Sequence, residues 1–312
     1  VCYQHGLSGP ISFLLTEVAM RLATILTTYG PRVAALKDDQ CYVDLHASDS
    51  ALPASMRQLL EGGPAALQAA SQALRRDKAV EYEAREVKFL PPVPDPHKII
   101  CLGLNYADHA KESGAAIPRD PVIFSKYASA LIGHDDAIVL PSTSSEVDYE
   151  AELVVVIGKR GRHIPAERGL EYVAGYTIGH DVSARDWQLK KDGKQWMVGK
   201  TFDTFAPTGP VLVTADELPD PHGLGVRLRL NGATMQESST SQMIFKVGAV
   251  VNYLSQVFTL EPGDLIFTGT PAGVGFTRRP PVFLKPGDVV EVEIEKLGVL
   301  RNPVVKDPHP AP

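Results

Sequence analysis

The sequence predicts an α+β protein in which strands dominate, a β-rich roll or sandwich preceded by a small α+β unit. Three observations carry this. Short runs of β-branched and aromatic residues recur along the chain. Gly and Pro turns separate them, among them Asn231-Gly232 and the Pro-Gly-Asp turns at Pro262 and Pro286. Helical periodicity is confined to a few stretches.

Residues 1–19 read as an upstream extension. Ile11 to Leu15 is apolar, but Glu17 and Arg21 interrupt the pattern and no basic stretch precedes it, so no secretory signal is expected there; an organelle leader stays open as an alternative, with basic residues missing to support it. Residues 20–90 form the small α+β unit. Its strands are expected at Leu22–Leu26, Arg32–Leu36 and Cys41–Leu45, with turns at Gly30-Pro31 and Asp38-Asp39. A short helix follows at Ser55–Glu61. A second opens at Pro64, with Leu67, Ala70 and Leu74 on one face. The proline-rich run from Pro91 to Pro96 fits neither helix nor central strand and reads as a linker.

The large domain spans 91–305. Its strands are expected at Lys98–Leu102, Ala137–Leu140, Leu153–Ile157, Val173–Ile178, Val211–Thr214, Val226–Leu230, Asp264–Phe267 and Val289–Ile294, with one helix at Lys246–Phe258. Residues 306–312 are expected as a disordered tail.

The net charge of −6 and the lack of a lysine or arginine cluster exclude a nucleic-acid binder. No apolar run is long enough to span a bilayer as a helix. Cys2, Cys41 and Cys101 are scattered, with neither disulfide nor zinc spacing, which fits a reducing compartment. That places the protein in the cytoplasm, with the mitochondrial matrix as the alternative for a eukaryotic source.

The chemistry centres on the stretch from Glu146 to Gly158. Leu153 to Ile157 reads as a buried strand, so Asp148, Glu150, Glu152, Val154 and Val156 share one face. Glu150 and Glu152 then lie roughly 6.6 Å apart, two residue rises along the strand. At an effective dielectric of about 20 they repel by roughly 2.5 kcal/mol. Beside valines rather than water, that pair calls for a cation.

Four further stretches add polar groups. In Gly103–Glu112, His109 and Glu112 share a helix face at i,i+3, an arrangement that raises and orients a general base. In Gly179–Gln188, Asp181 stands at a strand end, suited to a hard cation, with Arg185 and Gln188 again at i,i+3. Gly199–Pro210 is irregular and carries Lys200. Thr268-Gly269-Thr270 opens a loop of amides and hydroxyls suited to binding a carboxylate.

Together these motifs resemble the fumarylacetoacetate hydrolase family. They are Gly103-Leu-Asn-Tyr-Ala-Asp-His109, Tyr149-Glu-Ala-Glu152, His180-Asp-Val-Ser-Ala-Arg-Asp186, Gly199-Lys-Thr-Phe-Asp203 and Thr268-Gly-Thr-Pro-Ala-Gly-Val-Gly275, in that order. The small N-terminal unit and the Arg278–Asp288 stretch resemble the domain-containing-protein-2 branch and its bacterial relatives.

The resemblance implies the family's β-roll and a homodimer. It implies a divalent metal on Glu150, Glu152 and Asp181; all-oxygen ligands favour Mg²⁺, with Mn²⁺ or Ca²⁺ as alternatives. It implies that Lys200 stands beside the substrate, that His109 and Glu112 form a base dyad on a segment closing over the ligand, and that Arg185, Gln188, Thr268, Gly269 and Thr270 contact the substrate. Some family members add a carboxylate just before the histidine, where this chain has only Asn105 and Asp108.

The expected reaction is hydrolytic C–C cleavage of a 2,4-dioxo acid of the acylpyruvate or fumarylpyruvate type, through an enolate stabilised by the metal. Alternatives are tautomerisation or decarboxylation of oxaloacetate at the same site, a ureidoglycolate-lyase-like reaction, or a non-catalytic binding protein on the same fold.

Overall fold

The computed structural model describes residues 19–308. The expected extension before residue 19 and the last four residues of the tail lie outside the described residues. The architecture is organised on the strand Ala151–Ile157, buried along its whole length. It pairs antiparallel with Val173–His180 on one side and with Leu265–Phe267 on the other. Beyond Leu265–Phe267 come Ile99–Gly103, in parallel, and the edge strand Val122–Ser125. Beyond Val173–His180 comes Ala206–Thr214.

The N-terminal strands continue this same sheet. Arg21–Thr27 pairs with Ala206–Thr214 through Arg21↔Val213 and Leu22↔Leu212. Gly30–Asp38, Cys41–Asp44 and Val80–Glu83 extend it to the other edge, making a sheet of twelve strands with its side branches. Thr24 Oγ1 donates to the Pro92 carbonyl at 2.7 Å, which fastens the proline-rich segment to the sheet.

Alternation along Ala151–Ile157 assigns the two faces. Ala151, Leu153, Val155 and Ile157 enter a core shared with Leu228, Val290, Val292 and Val251. Those residues come from a second sheet of five strands and from helix Val247–Val257. Val154 and Val156 enter a second core with Met56, Leu59, Leu60 and Ala70, from the N-terminal helices Met56–Glu61 and Gly63–Leu74. A strand covered on both faces is apolar throughout, the pattern Leu153 to Ile157 shows.

Three local differences from the sequence expectation have physical causes. The strand expected to reach Leu45 stops at Asp44, whose carboxylate accepts from the Ala47 amide and opens the short helix Leu45–Ser48. The strand Gly298–Lys306 is unexpected, because Pro303 and the polar Arg301-Asn302 break its apolar pattern. It still closes a hairpin on Val289–Ile294, and it carries order as far as Lys306. Val122–Ser125 is an edge strand with alternate residues exposed, and its apolar run, Val122 to Phe124, is only three residues long, too short to mark a strand in the sequence. Among the described residues no helix is long and apolar enough to cross a membrane.

Candidate active site

The register Ala151↔His180 builds the site. It sets Asp181, just past one strand, against Glu150, just before the other; the Asp181 amide donates to the Glu150 carbonyl at 3.0 Å. Glu150, Glu152 and Asp181 each offer an oxygen, all within 4.8 Å of one another, and all three residues are buried. Glu152 Oε2 accepts from the Gly269 amide at 2.8 Å, while its buried Oε1 has no hydrogen-bond partner among the described residues.

Cations surround the other two carboxylates. Lys200 Nζ donates to Glu150 Oε2 at 2.7 Å and to Asp181 Oδ2 at 2.8 Å. Arg185 Nη2 lies 2.7 Å from Glu150 Oε1. Its Nε donates to Asp148 Oδ2 at 2.8 Å and its Nη1 to Gln188 Oε1 at 2.9 Å. The guanidinium stacks over Phe276, 4.4 Å from the ring centre. Lys126 Nζ lies 2.6 Å from Asp181 Oδ1.

The electrostatics split the two glutamates. Burial alone would raise Glu150, but Lys200 and Arg185 overcome it and hold its pKa at about 2. Burial raises Glu152 well above the carboxylate range, and the neighbouring Asp181 and Glu150 charges push the same way. Burial also opposes the charge on Lys200, yet Asp181 and Glu150 raise its pKa. His180 is an internal imidazole kept neutral, at about 3, by burial and by Lys126.

A cavity of about 200 Å³ adjoins the carboxylates, lined among others by His109, Glu150, Arg185, Gln188, Lys200 and Thr270. Leu104, Leu189, Trp196 and Phe276 give it an apolar wall. His109 stands on helix Ala107–Ser113, which ends at Gly114 in the left-handed conformation (φ 66°). Its Nδ1 is 3.7 Å from Glu112 Oε2, an ion-pair distance rather than a hydrogen bond. Burial lowers the His109 pKa, with Arg185 and Lys200 adding to it and Glu150 and Glu112 opposing. A larger surface hollow of about 870 Å³, lined by Asp38, Cys41, Glu81 and neighbours, lacks such a converging set.

The structure therefore brings Glu150, Glu152, Asp181, Lys200, His109, Arg185, Gln188 and Thr270 together. It keeps Thr268 and Gly269 away from the cavity wall: Thr268 Oγ1 donates to the Leu153 carbonyl at 2.8 Å, and the Gly269 amide is committed to Glu152. The loop of amides does bind carboxylates, but they are the protein's own. Gly269 takes Glu152, Gly273 takes Glu112, and Gly275 and Phe276 take Asp148. Gly269 needs its φ of +92°, where a side chain would be strained.

Neither Asn105 nor Asp108 joins the triad. Asn105 bridges the Phe245 and Thr268 backbones, and Asp108 accepts from its own helix and from Ser238. Sequence reasoning missed Lys126, which stands in no motif. It grouped Asp148 with Glu150 and Glu152 on one strand and gave it no role; Asp148 instead lies in a separate short strand, Val147–Asp148, paired with Ser183–Ala184.

Residues 98–305 match the family described as fumarylacetoacetate (FAA) hydrolase, C-terminal. The chain is 51% identical over 277 residues to a Xenopus laevis protein named oxaloacetate tautomerase fahd2, mitochondrial, covering 88% of this chain and 86% of that one. It is 52% identical over 263 residues to the human oxaloacetate tautomerase FAHD2A, mitochondrial, covering 84% and 83% respectively. Among solved structures, a fumarylacetoacetate hydrolase from Exiguobacterium antarcticum superposes with a TM-score of 0.80 at 35% identity, covering 92% of this chain and all (100%) of that one. A 2-hydroxyhepta-2,4-diene-1,7-dioate isomerase from Mycobacterium marinum superposes with a TM-score of 0.73 at 36% identity, covering 93% and 100%. The chain belongs to the fumarylacetoacetate hydrolase family and is one of its enzymes.

Proposed function

We propose that the protein is a divalent-metal-dependent keto–enol tautomerase of a small 2-oxo acid, with oxaloacetate as substrate. The observation that carries this is a cluster of three buried carboxylates, one of which, Glu150, lines a small cavity together with His109, a histidine whose pKa burial lowers. The relatives' names support tautomerisation. The Exiguobacterium antarcticum structure, less similar at 35% identity, is named a fumarylacetoacetate hydrolase, but the two relatives' names do not mention C–C hydrolysis, the reaction expected first from the sequence. They also carry the word mitochondrial, which favours the alternative compartment.

The residues fit a metal. The donors are all carboxylate oxygens, and Glu152 Oε1 is buried with nothing among the described residues to accept from. Glu150, Glu152 and Asp181 would hold the ion, with Mg²⁺ favoured by the donor set. When bound, a divalent cation supplies Lewis-acid polarisation of the keto oxygen and acidifies the adjacent C–H.

The protein's own groups do the rest. His109, neutral at neutral pH, takes a proton through the ring nitrogen turned away from Glu112 and returns it to the other atom: from the enol oxygen to the neighbouring carbon in one direction, from that carbon to the oxygen in the other. Arg185, fixed by Asp148, Glu150 and Gln188, presents a rigid cationic edge to the substrate. Thr270 Oγ1 accepts from Gln236 at 2.8 Å, which leaves its proton free to donate to a substrate carboxylate. Leu104, Leu189, Trp196 and Phe276 keep bulk water from the reacting carbon.

Product analysis with Mg²⁺ on enol-oxaloacetate, an acylpyruvate and ureidoglycolate tests the choice of reaction. Conversion of the enol to the keto acid without C–C cleavage is expected. Pyruvate and a carboxylic acid released from the acylpyruvate, with enol-oxaloacetate untouched, would restore the hydrolytic reading.

Metal binding should also be linked to pH. Glu152 keeps its proton beyond the usual carboxylate range, and a cation must displace it. Affinity is thus expected to rise with pH until Glu152 ionises unaided, with up to one proton released per ion. Calorimetry in two buffers of different ionisation heat measures that release; a value of zero throughout the acidic range would contradict the assignment of Glu152.

A further inference from the structure

We infer that Lys126 is a positioning residue for the metal site, a tethered ammonium occupying a nest of four oxygens that would otherwise suit a monovalent cation. The inference rests on the metal reading above. Lys126 directly follows the edge strand Val122–Ser125, and its side chain is fully buried. Nζ lies 2.6 Å from Asp181 Oδ1 and donates to the carbonyls of Phe205 at 2.7 Å, Val182 at 3.1 Å and Lys200. An ammonium has three N–H groups, so four oxygens around it leave none idle.

These oxygens belong to three separate segments: the end of Val173–His180, the end of helix Trp196–Lys200, and the turn before Ala206–Thr214. One side chain thus ties together the segments that deliver Asp181 and Lys200. It also divides the Asp181 carboxylate. Oδ1 is turned to Lys126, and Oδ2 is left for Lys200 and the triad. Lys200 is held at both ends, its carbonyl by Lys126 and its Nζ by Glu150 and Asp181. Lys126 does not line the cavity, so it acts only through these two residues.

Charge and position predict opposite signs. A positive charge beside three carboxylates repels a divalent cation, so if Lys126 served only as a counter-charge its removal would tighten metal binding. If it orients Asp181, removal weakens binding, since partners that fix a ligand commonly change affinity 10–100-fold.

The test is the Mn²⁺ dissociation constant of wild type and Lys126→Ala, measured by electron paramagnetic resonance with and without propylammonium. The Ala variant should bind Mn²⁺ at least about tenfold more weakly. Propylammonium, which can refill the nest and donate to its oxygens, should restore most of the affinity. Tetramethylammonium, with the same charge and no N–H, should not. Lys126→Gln, which keeps two N–H donors without the charge, covers the case in which the Ala variant does not fold, and is expected to bind more weakly than wild type. Equal or tighter Mn²⁺ binding in a folded variant, or equal rescue by both ammonium ions, overturns the role of Lys126. A wild type that binds no Mn²⁺ instead removes the metal reading, and this inference with it.

Discussion

Replacing His109 with Ala is expected to lower kcat by about 10²–10⁴-fold, the usual contribution of a positioned general base. Metal affinity and thermal stability should barely change. His109 is no member of the carboxylate triad, and its Nδ1 has no hydrogen-bond partner among the described residues, so truncation strands none of their buried groups. The histidine must be neutral to accept a proton. Its pKa is lowered, first by burial, so the active form persists to lower pH than for a solvated imidazole. Glu112 works against that shift from 3.7 Å. Glu112→Ala should therefore cost less than His109→Ala and move the acidic limb of the pH–rate profile to lower pH. Near-full turnover by His109→Ala, or loss of its metal, would remove His109 from the mechanism.

Glu150→Gln is expected to abolish metal binding, and with it activity, while the fold survives. The substitution keeps the side-chain shape and removes one of the triad's charges. It also takes a charged acceptor from Lys200 and Arg185. Both retain others: Lys200 keeps Asp181, and Arg185 keeps Asp148 and Gln188. The loss is therefore smaller than the 3–5 kcal/mol typical of stranding one partner of a buried ion pair. Circular dichroism should be unchanged, with the melting temperature a few degrees lower, as expected for about 1–2 kcal/mol in a chain of this size. A variant that still binds Mg²⁺ as wild type does would show that the ion sits elsewhere.

The triad was legible because a strand has a period of two. The run from Leu153 to Ile157 marked the strand, and alternation put Glu150 and Glu152 on one face. The register that brings Asp181 against Glu150 was not legible from spacing; the family resemblance supplied it. The same limit explains the N-terminal strands. Their alternation shows in the sequence, but nothing in Arg21 to Thr27 says that it pairs with Val213 and Leu212. The amides and hydroxyls after Thr268 read in the sequence as a nest for a substrate carboxylate, whereas the carboxylates they hold are the protein's own. The nest's occupants, Glu152, Glu112 and Asp148, depend on which side chains the fold turns toward it. Lys126 stayed hidden because four oxygens from three distant segments define its role, and no local pattern encodes them. Tautomerisation and C–C hydrolysis share an enolate, so the residues that stabilise it do not separate them.

In the proposed mechanism, activity needs both a metal held by Glu150, Glu152 and Asp181 and proton transfer by His109. Stopped-flow absorbance of enol-oxaloacetate, followed with and without Mg²⁺ for wild type and His109→Ala, tests it most directly. Fast enol decay is predicted only for wild type with Mg²⁺, with the chelated enzyme and the variant both near the uncatalysed rate. Equally fast decay without metal, or in His109→Ala, would contradict it.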